Sequence, residues 1–255
     1  MQLQAVGTSI KALILSLCFI VTLLTSIASK ANETNIPLTV RFHVVTKLEI
    51  PKDSQHLKSW ITEDDIKNKI LPEVNRIWKA ANISFNLDTV LFTPSLNPSN
   101  KKQITGYIAN AERDEDGKSD PERIKLLSNL ISFENENENP NAINIYFVPY
   151  LGEASQGHAK RKLKRAFIGQ WTDKPSKGKS TPEHFKLVEK GTFKEGSIGR
   201  TVAHEIGHIL NLKHPDRATQ TQFNLLMGGK KAGYGLTKKE IQQARKKATK
   251  LNSPS

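Results

Sequence analysis

The stretch His204-Glu205-Ile206-Gly207-His208-Ile209-Leu210-Asn211-Leu212-Lys213-His214, set within Ser197 to Met227, decides how the chain is read. If it is helical, Ile198, Val202, Ile206, Ile209 and Leu210 share one face, since each residue advances roughly 100°. His204 and His208 then fall together on the opposite side, about one turn apart. Two imidazoles at that spacing can reach one metal ion, and Glu205 projects beside them toward a water on that ion.

A zinc ion in a hydrolase takes three protein ligands and keeps one position for water. The third ligand must come from chain that has turned back, so the helix has to stop soon after His208. Asn211 is the expected stop, because after Gly, Asn most readily adopts the left-handed backbone conformation that ends helices. His214 can then swing in as third ligand, and Pro215 helps to keep the chain from resuming a helix. Short H-E-x-x-H matches arise by chance on ordinary surface helices. A third histidine at the right spacing, a helix-ending residue and a methionine turn downstream argue against coincidence.

The pattern resembles the metzincin clan of zinc endopeptidases, whose zinc motif H-E-x-x-H-x-x-G-x-x-H is followed by a Met-containing turn beneath the metal. The histidines and the glutamate match position for position, and Asn224 to Gly229, with Met227, is similar to the Met turn. Asn211 stands where the clan usually has Gly, and Gly229 stands where two of its branches carry a Tyr. The resemblance implies an α/β (α+β) fold with a twisted mixed β-sheet over an active-site helix, a cleft between them, and a C-terminal helix. It spans residues 36 to 251 in layout and is specific from 197 to 229. It also implies that Met227 lies under the imidazoles as an apolar floor; on sequence alone Met227 is equally an ordinary core residue.

At 255 residues, 37% hydrophobic and 25% charged, the chain is of ordinary globular composition and long enough for one substantial core. Lys11 precedes a 17-residue apolar run, Ala12 to Ala28, in which Ser26 and Ala28 occupy the positions a signal peptidase reads. Residues 1 to 28 are therefore expected to be a secretory signal, with an uncleaved membrane anchor as the second reading, and 29 to 255 a single catalytic domain, secreted or periplasmic. Cys18 is the only cysteine, so the mature chain would lack disulfides and the cysteine switch by which the matrixin branch blocks its zinc. No propeptide is evident, since strand-like sequence begins within about ten residues of the expected cut.

Leu38 to Val45 alternates apolar and polar as a strand with one buried face, which puts His43 on the polar side as a surface residue. Thr62 and Asp65 can cap a helix carrying Ile66, Ile70, Val74, Ile77, Trp78 and Ala81, which Pro72 should kink or divide. Ile83 to Asp88 alternates as a second strand, and Ala142 to Val148 and Ala166 to Trp171 are further strands. Residues 94 to 140 read as a surface excursion around one helix, Pro121 to Leu130, and Glu134 to Asn139 as a polar loop. Within it Asp114, Asp116, Gly117 and Asp120 have the composition of a calcium loop, but Arg123 occupies the position that needs Glu. A solvated acidic turn is the expected reading there, with calcium left open as a second ion. Thr237 and Glu240 form a capping box for a final helix with Ile241, Ala244, Ala248 and Leu251 as its apolar stripe.

The net charge is +13; without residues 1 to 28, which hold Lys11 and no acid, 37 basic residues face 25 acidic ones. The excess clusters at 160 to 165, 174 to 179, 230 to 231 and 238 to 250. It suits anionic partners such as acidic peptides or envelope surfaces, and equally a solvated, solubilising face. Nucleic acid is not an expected partner, because aromatic residues are nearly absent from these clusters. The expected function is a monomeric, secreted zinc endopeptidase: His204, His208 and His214 hold the zinc, and Glu205 takes the proton from the attacking water and returns it to the leaving amine. The alternative is a basic envelope-binding protein on a degenerate protease scaffold with a structural zinc. Glu205 discriminates, because a structural zinc needs no general base and prefers a fourth protein ligand.

Overall fold

The computed structural model describes residues 34–45, 59–93, 138–150, 157–171, 197–215, 226–228 and 233–253. The expected signal segment, the acidic turn at 114–120, the helix at 121–130 and the basic runs at 174–179 and 230–231 lie outside the described residues. Of the two compact units in the chain, Met1–Asn35 and Ile36–Ser255, the second carries everything discussed below. No helix among the described residues is long and apolar enough to cross a membrane.

Five strands form one twisted mixed sheet in the order β2-β1-β3-β5-β4: β1 (Ile36–Val45), β2 (Ile83–Thr93), β3 (Ile143–Tyr150), β4 (Gly157–Lys160) and β5 (Arg165–Trp171). The pairs β1/β2, β1/β3 and β3/β5 are parallel, and β4 runs antiparallel to β5 at the edge. The helices are α1 (Glu63–Asp65), α2 (Leu71–Trp78), α3 (Ile198–Ile209) and α4 (Lys238–Asn252). Strand alternation selects the face they cover. Ile36, Leu38, Val40, Phe42 and Val44 of β1, with Ile143, Ile145 and Phe147 of β3 and Ala166 and Ile168 of β5, join one core with α2, α3 and α4.

Around His43 the other sheet face is buried too, and this corrects the expectation that His43 is a surface residue. His43 is fully buried, stacked on Tyr146 at 4.3 Å, and Tyr146 stacks on Phe167 at 5.4 Å. These residues face one another in the strand register, His43 opposite Tyr146 and Tyr146 opposite Phe167. His43 Nε2 lies 3.0 Å from Asn144 Oδ1, and burial lowers its pKa. Alternation assigned His43 to the correct face, but a strand cannot report whether its second face is covered.

The caps form as expected. Asp65 N–H donates to Thr62 Oγ1 at 3.1 Å while Asp65 Oδ2 accepts from Thr62 N–H at 3.2 Å; Thr237 and Glu240 repeat the box at 3.2 and 2.7 Å. Pro72 stands in the first turn of α2, at the place where the helical segment is divided. A π-helical turn, Ile66–Ile70, is inserted between α1 and α2, with Leu71 N–H donating to Ile66 C=O. A proline is tolerated in the first turn of a helix, and the π-turn precedes it.

The first turn of α3 is seated on a buried carboxyl from α2. Ser197, the N-cap, accepts from Arg200 N–H at 3.2 Å and donates its Oγ–H to Glu73 Oε1 at 2.7 Å. The carboxyl occupies the space where a Cβ on Gly199 would fall, so the two helices close only because residue 199 lacks a side chain. Burial raises the Glu73 pKa to about 7, against the opposing pull of Ser197, Arg76 and Arg200. A raised pKa means that the fold holds a proton the unfolded chain has released. The associated stability is complete below the ordinary value and is lost as pH rises from there through about 7. Glu73→Gln keeps an acceptor for Ser197 and removes this titration. It should therefore match the wild-type Tm near pH 5 and exceed it near pH 8; a Tm difference constant across that range would refute the assignment.

Candidate metal centre

The helix α3 ends as the spacing of its motif requires. Asn211 has φ 71°, its N–H donates to His208 C=O at 3.0 Å, and the N–H of Leu212 reaches back to Gly207 C=O at 2.9 Å. This pair of bonds around one left-handed residue is the Schellman ending. Leu212 is buried and Gln243 of α4 donates to Asn211 C=O, so the turn is held from both sides. The chain is thereby reversed, and His214 faces the two helical histidines.

The three side chains converge. The ligand atoms of His204, His208 and His214 lie within 4.8 Å of one another, with His214 Nε2 3.0 Å from His204 Nε2 and 3.2 Å from His208 Nε2. The far nitrogens are committed elsewhere: Nδ1 of His204 is 2.7 Å from Leu226 C=O, and Nδ1 of His208 is 3.0 Å from Leu212 C=O. A carbonyl only accepts, so both Nδ1 atoms carry the proton and both Nε2 atoms present lone pairs to the centre. Burial above all keeps these imidazoles neutral, lowering His204 to about 3 and His208 to about 4; His214 is lowered as well.

This donor set fits zinc. Nitrogens bound at about 2.0–2.1 Å in a tetrahedral array are separated from one another by roughly 3.3 Å. The 3.0 and 3.2 Å separations are close to that value. Among the described residues the group contains three histidines and no further ligand.

Glu205 is buried beside them, and its carboxylate faces the edge strand. A Cβ built on Gly157 of β4 would come within 2.5 Å of Glu205 Oε1. Burial pushes Glu205 up to about 8, partly offset by Arg200. A divalent cation at the adjacent histidines would pull in the opposite direction, toward the carboxylate. Met227 is fully buried, and its Sδ packs where a Cβ on Gly207, between the two helical histidines, would sit, at 2.5 Å. Of the segment Asn224 to Gly229, residues 226–228 are described, and they supply both this floor and the Leu226 carbonyl.

Sequence reasoning missed four residues here. Gly157 carried a readable signal, since a Gly inside a strand often marks a close approach. Glu73 and Arg200 look like ordinary charged positions in helical sequence, and nothing local marks them for burial. Arg161 was expected as one of five basic residues on the edge segment 157 to 165, some of them facing the cleft, and not as a donor beside the histidines. It donates to Leu212 C=O at 3.0 Å and lies 3.5 Å from His208 Nδ1, while Lys164 donates to Pro140 C=O and Arg165 pairs with Glu138 at 2.6 Å.

The Asn211 geometry can be tested directly. Asn211→Gly should retain metal affinity and stability or improve slightly, whereas Asn211→Val should weaken metal binding about tenfold or more, because a β-branched residue resists positive φ. Equal affinities by chelator competition in all three proteins would show that the turn does not depend on this residue.

No curated protein matches the chain. The family model described as metallo-peptidase family M12 matches residues 43–245, which takes in the end of β1, the other four strands, the π-turn, the histidine motif, the Met turn and the first half of α4. With that span matched, and with three histidines brought together where they can hold a metal ion, the chain belongs to metallo-peptidase family M12.

Proposed function

We propose that the protein is a secreted zinc endopeptidase in which His204, His208 and His214 hold the ion and Glu205 is the general base. The observation that carries this is the joint placement of three neutral, convergent imidazoles and a buried carboxyl against the backbone of the edge strand. Zinc bound there would supply Lewis acidity that polarises the scissile carbonyl and acidifies water. Glu205 then does the proton work: its carboxylate takes a proton from the attacking water and delivers it to the departing amine. Extended peptides commonly bind by adding a strand to a sheet edge, and β4 is the edge nearest Glu205. Export is proposed from Lys11 and the apolar run to Ala28.

The competing reading, a basic envelope-binding protein with a structural zinc, is disfavoured by the same arrangement. A closed structural site would use a fourth protein ligand, and a buried acid beside it would have no purpose. The two readings separate on one substitution. Glu205→Ala should keep about one zinc per chain by metal analysis and lose nearly all peptide hydrolysis, while His208→Ala loses both. Turnover of Glu205→Ala at the wild-type rate would end the mechanism.

The basic residues beside β4 suggest a preference for acidic residues flanking the cut. Arg161 reaches the rim of the histidine site and Lys162 is exposed beside it, while Lys164 and Arg165 are engaged with Pro140 and Glu138. Matched acidic and basic peptides should differ in kcat/KM at low ionic strength and converge with added salt. Changing Lys160, Arg161 and Lys162 to Gln should abolish the difference, and changing Lys164 and Arg165 should not. If the difference survives the triple substitution, this cluster has no part in specificity.

A further inference from the structure

Two carbonyl oxygens at the centre are shared in the same way. Leu226 O accepts from His204 Nδ1 at 2.7 Å and from the Arg200 guanidinium at 2.8 Å. Leu212 O is 3.0 Å from His208 Nδ1 and accepts from Arg161 at 3.0 Å. Each helical histidine is thus oriented by a carbonyl that an arginine also holds. The two arginines differ in depth: Arg161 is exposed, whereas Arg200 is buried at 8% exposure.

Arg200 does more than share one acceptor. The same terminal nitrogen, Nη2, also donates to Gly228 C=O at 3.0 Å, and its Nε donates to Gly233 C=O at 3.0 Å. The two carbonyls on either side of Met227 and a third six residues later therefore converge on one planar cation. A guanidinium carries its donors in a fixed plane, so three acceptors around it fix one another's positions. Taking a cation out of water is costly unless its donors are satisfied, so the arrangement is held together as a unit. Arg200 also sits one helical turn before His204, on the same side of α3.

We propose that Arg200 is a positioning residue of the metal centre. Through the Leu226 carbonyl it sets the tautomer and ring plane of His204, and through Gly228 and Gly233 it holds Met227 against Gly207. It touches neither substrate nor reacting atoms. The inference rests on the reading of His204, His208 and His214 as the metal site, and it assigns to one residue the coupling between that site and the turn beneath it.

The test uses the full chain with Arg200→Lys and Arg200→Gln. Zinc affinity is measured by chelator competition, the cobalt-loaded protein by its visible absorption, the metal-free protein by its thermal unfolding, and kcat and KM on a peptide. Loss of an outer-shell orienting group typically costs 10–100-fold in metal affinity. Arg200→Lys, which keeps the charge but not the planar fork, should fall in that range, alter the cobalt spectrum, and lower kcat with KM within about threefold. Arg200→Gln should show the same changes more strongly. If Arg200→Gln does not fold, the Lys variant carries the test. A folded variant with wild-type cobalt absorption and zinc affinity, whatever its loss in Tm, would reduce Arg200 to a core staple and overturn the proposal. If the wild type takes up neither zinc nor cobalt, the metal reading itself fails, and the proposal falls with it.

Discussion

Three uncharged imidazoles, two of them with lone pairs fixed toward the third at 3.0 and 3.2 Å, are the constraint around which the rest of the molecule is arranged. Such an array gains nothing by itself, so rigid surroundings must hold it until a cation draws the lone pairs together. The surroundings here act by removing alternatives. Each helical histidine has its outer nitrogen committed to a backbone carbonyl, burial keeps the rings from protonating, and the third histidine is fixed by a helix ending rather than by a flexible loop.

The helix that bears two of these rings is held along its whole length. At its start Ser197 and Gly199 fit around the Glu73 carboxyl; at its middle Trp78 donates from its indole to Ala203 C=O at 3.3 Å; at its end Asn211 is bonded by Gln243. Every residue from Ile198 to Gly207 is buried. Polar groups at that depth must be matched, and they are: the buried Arg200 meets three carbonyls and the buried Ser197 meets a carboxyl and an amide. The polar network thus lies along the helix that brings the histidines together.

Edge strand β4 gives the site its direction. Placed antiparallel at the end of an otherwise parallel sheet, it has a neighbour on one side only among the described strands. Its Gly157 lets the Glu205 carboxyl reach the strand backbone. Around it the basic residues divide by contact rather than by charge. Arg165 turns to Glu138 and Lys164 to Pro140, leaving Arg161 beside the histidines.

The fold class was legible through the resemblance that the zinc motif carries, whereas the three histidines with Glu205, the left-handed Asn211 and both capping boxes were legible because each depends on residues within a few turns of one another. Helical spacing places His204 and His208 side by side whatever surrounds them, and Thr62 with Asp65 needs no distant partner to close a cap. Pro72 showed that the helical segment had to adapt there, although the sequence did not say that a π-turn would do it. What only tertiary structure decided is which charged and small residues face each other across long separations. His43 is buried because a second sheet face is covered, Glu73 because α3 closes on it, and Gly157 matters because Glu205 arrives from 48 positions away. Arg200 acquires its role only when the Met turn brings three carbonyls to it. Periodicity records which residues share a face; what covers that face depends on strand order and helix packing, which no local spacing encodes.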